Sequence, residues 1–182
     1  MIVLAGASAS GKTEVAKLLA KKYHIVKAIT TTTRNIRKGE VDGVDYFFVD
    51  IDTFKEKIKN EEFVEYTMFN GNYYGSTKDQ ISSNKVVVID PAGLRSYISL
   101  NDNKIVTFFL ETEENTRFER MMLRGDKIED AKNRIIHDRE AFKKEQIAKV
   151  DFTVNSQTQN VEEVTDEIYK KYNEELKRRN LL

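Results

Sequence analysis

Short apolar runs recur along the chain and are separated by longer polar stretches that carry one apolar face. The runs at residues 2–5, 85–90 and 104–110 are rich in Val, Ile, Leu and Phe, and each is bounded by charged or turn-forming residues. Runs of this length suit strands that are buried on both faces of a parallel sheet. We therefore predict three central strands at these positions.

The intervening stretches have the spacing of helices. Val15, Ala16, Leu18 and Leu19 fall on one face of a helix over residues 12–22. Strands that alternate with helices predict an α/β fold with a parallel sheet. The other predicted elements are helices near 51–59, 113–123 and 128–145, a closing helix through Val161, Val164, Ile168, Tyr169 and Tyr172, and short strands at 45–50, 62–69 and 152–154.

A phosphate-binding motif lies between the first strand and the first helix. Residues 6–13, GASASGKT, match G-x-x-x-x-G-K-[ST] in full. The glycines allow successive backbone N–H groups to turn toward phosphate oxygens, and the helix N-terminus adds its positive end. We predict that ATP is bound by Gly6, Ala7, Ser8, Ala9, Ser10, Gly11, Lys12 and Thr13, with Lys12 between the β- and γ-phosphates and Thr13 as a ligand of Mg²⁺.

Composition narrows the partners further. The 182 residues suffice for one α/β domain, and 30 basic residues balance 30 acidic ones, so no net charge attracts nucleic acid or a membrane. The absence of Cys excludes disulfides and thiolate metal sites. No apolar run has the length of a membrane span, and the first residues lack the features of a signal peptide. These observations predict a cytoplasmic protein with small-molecule partners.

Further motifs follow the phosphate-binding loop. Residues 30–49 read TTTTRNIRKGEVDGVDYFFV, residues 63–65 read FVE and residues 71–77 read GNYYGST. In order and spacing they resemble the guanylate kinase family, whose motifs are T-T-R-x-P-R-x-G-E-x-x-G-x-D-Y-x-F, F-[IV]-E and G-N-x-Y-G-[ST]. The resemblance extends from residue 1 to about residue 170.

The same residues suit the recognition of a nucleoside monophosphate. Arg34 and Arg37 can grip a dianionic phosphate, and the hydroxyl groups of Tyr46 and Tyr74 can donate to it, although Tyr73 is an alternative to Tyr74. Guanine offers two adjacent donors, which the carboxylate of Glu65 can accept. The remaining predicted acceptor-site residues are Thr30 and Ser76, as donors to the guanine O6, and Asp90, which aligns with a family acid that contacts the acceptor or the metal shell.

A lid of arginines is implied by the resemblance. Arg120 and Arg124 lie on one predicted helix and Arg134 lies on the next, and these three match the family's lid arginines best. Mobile arginines neutralise the negative charge of a phosphoryl group in transfer, so Lys12, Arg34, Arg124 and Arg134 are the predicted catalytic residues, with Arg120 at the ATP. The interval from Arg124 to Arg134 is one residue short, which leaves Arg139 as an alternative.

The resemblance implies a P-loop NTPase core with a five-stranded parallel sheet (residues 1–33, 77–118 and 141–182). It also implies an inserted subdomain for the nucleoside monophosphate at about 34–76 and a helical lid at about 119–140, all within one domain. The implied activity is transfer of the γ-phosphate of ATP to GMP or dGMP, a step of purine nucleotide metabolism. Ile36 replaces the family proline. Two alternatives remain: a kinase for another phosphorylated acceptor, such as ribose 1,5-bisphosphate or another nucleotide, and an interaction module without catalysis.

Overall fold

A computed structural model describes residues 1–143, 149–157 and 159–182. Two sheets, the α-helices around them and one short 3₁₀ helix at Lys78–Gln80 account for the regular structure in these residues. Along the chain the elements are β1 (Ile2–Gly6), α1 (Lys12–Tyr23), β2 (Val26–Lys27), β3 (Thr31–Thr32), β4 (Phe47–Phe48), α2 (Ile51–Lys59), β5 (Phe63–Phe69), β6 (Asn72–Thr77), β7 (Lys85–Val88), α3 (Pro91–Ser99), β8 (Val106–Glu111), α4 (Glu114–Leu123), α5 (Ile128–Ala141), β9 (Phe152–Asn155) and α6 (Val161–Arg178).

The larger sheet has five strands in the order β2-β7-β1-β8-β9, and every neighbouring pair is parallel. This confirms the predicted α/β fold with a five-stranded parallel sheet. β1 is buried along its whole length because it lies at the centre of that sheet. Ile2 and Leu4 point to the face covered by α1 and α6, whereas Val3 and Ala5 point to the face covered by α3. Because successive side chains of a strand point to opposite faces, β1 contributes to two separate hydrophobic cores.

Several predicted boundaries were wrong by a few residues. The strand predicted at 45–50 forms only at Phe47–Phe48, and the run at 85–90 ends as a strand at Val88. Asp90 instead begins the next helix, where its carboxylate accepts a hydrogen bond from the N–H of Gly93 at 2.7 Å. The helix predicted to continue to about 145 ends at Ala141, and residues 144–148 lie outside the described residues.

The smaller sheet has the order β4-β3-β6-β5 and was not predicted as a unit. β3 and β6 carry the sequences TT and NYYGST, which lack an apolar alternation. They become strands because β6 pairs antiparallel with both β3 and β5. Within the described part of the chain, no helix is long and apolar enough to cross a membrane.

Candidate nucleotide site

The phosphate-binding loop leaves β1 and enters α1 at the carboxyl edge of the large sheet, as its motif predicts. Gly6 has a φ of 152°, and a Cβ there would lie 2.8 Å from the backbone oxygen of Leu110 and from Ser10 Oγ. Gly11 caps α1 with a φ of 97°. Glycine is therefore required by close approach at the first position and by backbone conformation at the second.

Lys12 folds back onto its own loop. Its Nζ donates to the backbone oxygens of Gly6 and Ala7 at 2.6 and 2.8 Å. Burial lowers the pKa of Lys12 to about 8; the Arg117 charge adds to this shift and the Asp138 charge opposes it. The ammonium group is thus held at the place where a phosphate would arrive, on carbonyl oxygens that a phosphate can replace.

A cavity of about 240 Å³ lies between the smaller sheet and the start of α3. Its walls bring together five residues that the sequence assigns to the acceptor, namely Thr30, Glu65, Tyr74, Ser76 and Asp90. Lys27 and Thr67 also line it and were not predicted. Residues that are distant in sequence therefore converge on one concave site of a size that suits a single ring system.

Glu65 owes its direction to an irregularity in strand pairing. Phe63 pairs with Thr77 and Glu65 pairs with Ser76, so one strand has an extra residue between the two pairs. Such bulges re-aim side chains beside functional sites. Burial raises the pKa of the Glu65 carboxyl, and the nearby charge of Asp90 raises it further, whereas hydrogen bonds from Ser76 oppose the shift.

Arg34 is held in place next to two aromatic rings. Its Nη2 donates to Glu40 Oε1 at 2.7 Å, and its guanidinium lies 5.4 Å from the ring centre of Tyr46. The hydrogen bond to Glu40 is the largest cause of a raised Arg34 pKa, and Tyr74 adds to it. The rings of Tyr46 and Tyr74 meet edge to face at 6.2 Å, so Arg34, Tyr46 and Tyr74 form one cluster.

Two neighbours of this cluster differ in environment. Arg37 is exposed, and its backbone N–H donates to the other oxygen of Glu40 at 2.8 Å. Tyr73, the alternative to Tyr74, instead stacks on Phe54 at 5.2 Å. Glu40 therefore positions both arginine segments, a role that the sequence analysis missed although Glu40 belongs to the G-E pair of the motif.

The arginines of α4 and α5 fall into two groups. Arg120 donates to the backbone oxygens of Ala9 and Ser156 at 3.3 and 2.5 Å, and burial lowers its pKa. Arg124 and Arg134 both bond Asp126 at the turn between the helices, Arg134 at 3.3 Å, and are about half exposed. Arg139 pairs with Glu114 of α4 instead. The structure thus groups Arg134, rather than Arg139, with Arg124, and it brings Arg120 alone of the three predicted lid arginines to the loop among the described residues.

The protein oxygens near the loop fit a magnesium ion that is held mainly by phosphates. Thr13 stands exposed in the first turn of α1 and offers one hydroxyl oxygen. No group of three His, Cys, Asp or Glu side chains that could hold a metal occurs among residues 1–143, 149–157 and 159–182. Mg²⁺ commonly takes one or two protein ligands and completes its shell with water and substrate phosphates, so this sparse donor set is compatible with it.

Comparison with known proteins agrees with this arrangement. The family model described as guanylate kinase matches residues 1–176. The guanylate kinase of Fusobacterium nucleatum is 43% identical over 81 residues, which are 44% of each chain, and that of Wolinella succinogenes is 37% identical over 149 residues, which are 75% of this chain and 68% of that one. The matched segment thus spans less than half of the Fusobacterium protein's length.

A solved structure has the same fold. The crystal structure of guanylate kinase from Anaplasma phagocytophilum superposes with a TM-score of 0.60 at 26% identity, over 96% of this chain and 85% of that chain. The family model covers nearly all of the sequence, and its match includes the loop, the cavity and the arginines of α4 and α5. The chain belongs to the guanylate kinase family.

Proposed function

We propose that this chain transfers the γ-phosphate of ATP to GMP or dGMP, with Mg²⁺, and releases ADP and GDP or dGDP. The observation that carries the proposal is the cavity in which Glu65, Ser76 and Asp90 meet. An acidic side chain between hydroxyl donors complements the edge of guanine, which offers N1–H and N2–H₂ beside an O6 acceptor. Family membership supports the use of ATP as donor.

The donor phosphates would lie over the loop, with Lys12 replacing its carbonyl contacts by phosphate oxygens. Mg²⁺, held by Thr13 and the phosphates, would supply additional positive charge against the transferring group. The acceptor phosphate oxygen is already ionised, so the reaction needs no general base. Arg124 and Arg134 would approach the phosphates through a movement of the segment at about 119–140, because both now bond Asp126.

The acceptor phosphate would bind at Arg34, Arg37, Tyr46 and Tyr74 in the segment at about 34–76. Arg34 already stands beside both tyrosines, so much of that site exists before substrate arrives. A pre-formed site loses less conformational entropy on binding. We expect the protein to act in the cytoplasm on free nucleotides.

Two other functions are less well supported. A kinase for a sugar phosphate would use the Arg34 cluster but would have no use for Glu65 in the cavity of about 240 Å³. An interaction module without catalysis would need neither Lys12 nor Thr13, both of which are present in an intact motif. Both alternatives fail to explain features that the proposed reaction uses.

The proposed function is tested by ADP release with ATP and Mg²⁺ across a panel of acceptors. We expect GMP and dGMP to support turnover, and AMP, CMP, UMP and ribose 1,5-bisphosphate to give rates near background. Turnover with the sugar phosphate alone would establish the first alternative. No turnover with any acceptor, by a protein that binds GMP, would establish the second.

Arg34→Ala and Arg37→Ala should each raise the KM for GMP by ~10-fold or more. Each variant loses a charge-assisted hydrogen bond to the phosphate, and such a bond contributes about 1.5–3 kcal/mol to binding. Binding of guanosine, which has no phosphate, should stay weak and unchanged. Lys38→Ala is the matched control, since Lys38 is an exposed cation in the same loop. Equal losses for guanosine and GMP would mean that the arginines support the fold and not the ligand.

A further inference from the structure

A buried carboxylate from the lid region contacts the phosphate-binding loop. Asp138 Oδ2 accepts hydrogen bonds from the backbone N–H of Ser8 at 2.7 Å and from Arg117 Nη1 at 2.9 Å. Asp138 is 7% exposed and Arg117 is 4% exposed. One oxygen of Asp138 therefore links α5, α4 and the loop. The proposed reaction assigns no role to either charged side chain.

A contribution to folding stability is a weak explanation for the buried ion pair of Arg117 and Asp138. Moving two charges out of water offsets most of what their attraction gains, so a buried ion pair is often no better than an apolar pair of the same volume. Arg117 is moreover incompletely satisfied, since its buried Nε has no hydrogen-bond partner among the described residues. A buried N–H without an acceptor is unfavourable, and an anion that entered here would supply one.

The position of Asp138 matters because the loop is built to receive anions. Its backbone N–H groups and the N-terminus of α1 attract phosphate, and in the structure a carboxylate lies on one of those N–H groups, that of Ser8. Asp138 and Arg117 also act with opposite sign on Lys12, the first raising its pKa and the second lowering it. The charges of Asp138 and Arg117 thus both change the electrostatic potential at the place where the donor phosphates would bind.

The surroundings allow the two side chains to exchange partners. The α4–α5 pair rests on the loop through Met121, Ala131 and Ile135, with Ala9 of the loop packed against them. On the other side, Arg117 and Asp138 line a cavity of about 510 Å³ that reaches Ala7. Because this cavity leaves space beside both side chains, the carboxylate of Asp138 can leave Ser8 while Arg117 stays beside the loop.

We propose that Asp138 is an internal anion on the phosphate-binding loop, that the donor phosphates displace it, and that Arg117 then remains as a cation which stabilises them. The proposal rests on the proposed use of ATP as donor. In this proposal Asp138 competes with ATP for the loop, whereas Arg117 stabilises bound ATP. The two side chains therefore have opposite effects on ATP affinity and little effect on GMP affinity.

The first test is Asp138→Asn, studied by calorimetric titration of the full chain with ATP and Mg²⁺. Asn keeps an oxygen for the Ser8 N–H but removes the negative charge, so ATP should bind at least ~5-fold more tightly. GMP affinity should not change. Asp130→Asn is the matched control because it removes an exposed carboxylate from the same helix, and it should leave ATP affinity unchanged.

The second test removes the opposite charge. Arg117→Gln leaves Asp138 buried and uncompensated at the loop, so ATP affinity should fall by ~10-fold or more. The double variant Arg117→Gln/Asp138→Asn restores neutrality and should return ATP affinity to within ~3-fold of the wild type, because the two charge effects cancel. This variant also keeps the test decisive if Arg117→Gln alone does not fold.

The outcomes separate this proposal from the function itself. Weaker or unchanged ATP binding by Asp138→Asn would overturn the proposal, since the carboxylate would then support the loop or be irrelevant to it. A double variant that binds ATP as poorly as Arg117→Gln would overturn it too. If the wild-type protein bound no ATP, the proposed function would fail instead.

Discussion

Lys12→Ala should lower the kcat for ATP and GMP by at least ~10²-fold, because the variant loses the preorganised cation that we propose faces the transferring phosphoryl group. Lys12 lies on the loop with its Nζ 2.6 Å from the oxygen of Gly6, so its ammonium group is already at the loop before a substrate binds. Burial lowers the pKa of this amine to about 8. The measurement is single-turnover phosphoryl transfer at saturating nucleotide.

GMP affinity should barely change in this variant, since the acceptor cavity does not include Lys12 among its lining residues. Lys17→Ala is the matched control, because Lys17 lies on the same helix and pairs at the surface with Glu14. A thermal unfolding curve shows whether the loss of the partly buried amine affects the fold. Turnover near the wild-type value in a folded Lys12→Ala protein would contradict the assignment of the loop.

Part of the fold could be predicted because its signal is local. The run at residues 2–5 is apolar at every position, as a central strand requires, and α6 carries the full stripe from Val161 to Tyr172. β3 and β6 could not be predicted from apolar spacing, because TT and NYYGST become strands through pairing with each other and with their other neighbours, β4 for β3 and β5 for β6. The two-residue β4 is short because only Phe47 and Phe48 pair with β3.

The candidate site likewise has a part that the sequence predicts and a part that it does not. The loop motif specifies both residue types and backbone shape, so its position could be predicted from residues 6–13 alone. The long-range hydrogen bonds of the charged side chains could not be predicted, because their partners are set by tertiary structure. Asp138 accepts from the backbone N–H of Ser8 across 130 residues of chain, and Arg139 pairs with Glu114 of α4 across 25. The position of Arg117 near the loop had a weak signal in the sequence, since Arg117 precedes Arg120 by about one helical turn and so lies on the same face of the helix.

Specificity for guanine should be the property most sensitive to Glu65. Adenine has a lone pair at N1 where guanine has N1–H, so AMP would set that lone pair against the carboxylate in a cavity of about 240 Å³. Sites built to hydrogen-bond a substrate reject analogues without the matching group by ~10⁴-fold, so we expect kcat/KM for GMP to exceed that for AMP by at least ~10³-fold. IMP should be intermediate, because it keeps N1–H and O6 but lacks the N2 amino group.

Burial and the nearby charge of Asp90 raise the pKa of Glu65, so its carboxylate is lost at a less acidic pH than that of an exposed Glu. The carboxylate is the form that we propose accepts from guanine. GMP affinity should consequently fall as the pH drops through that raised pKa. Glu65→Gln should remove this fall and should narrow the gap between GMP and IMP, since the amide keeps a single acceptor oxygen.

The matched control for Glu65→Gln is Glu62→Gln, because Glu62 lies three residues away and pairs with Lys57 outside the cavity. Steady-state kinetics with GMP, IMP and AMP on the three proteins give the rank order that decides the assignment. A wild-type protein that prefers AMP would show that Glu65 does not recognise guanine. A Glu65→Gln variant with the wild-type ratio of GMP to IMP would show instead that the N2 amino group is bound by another residue of the cavity.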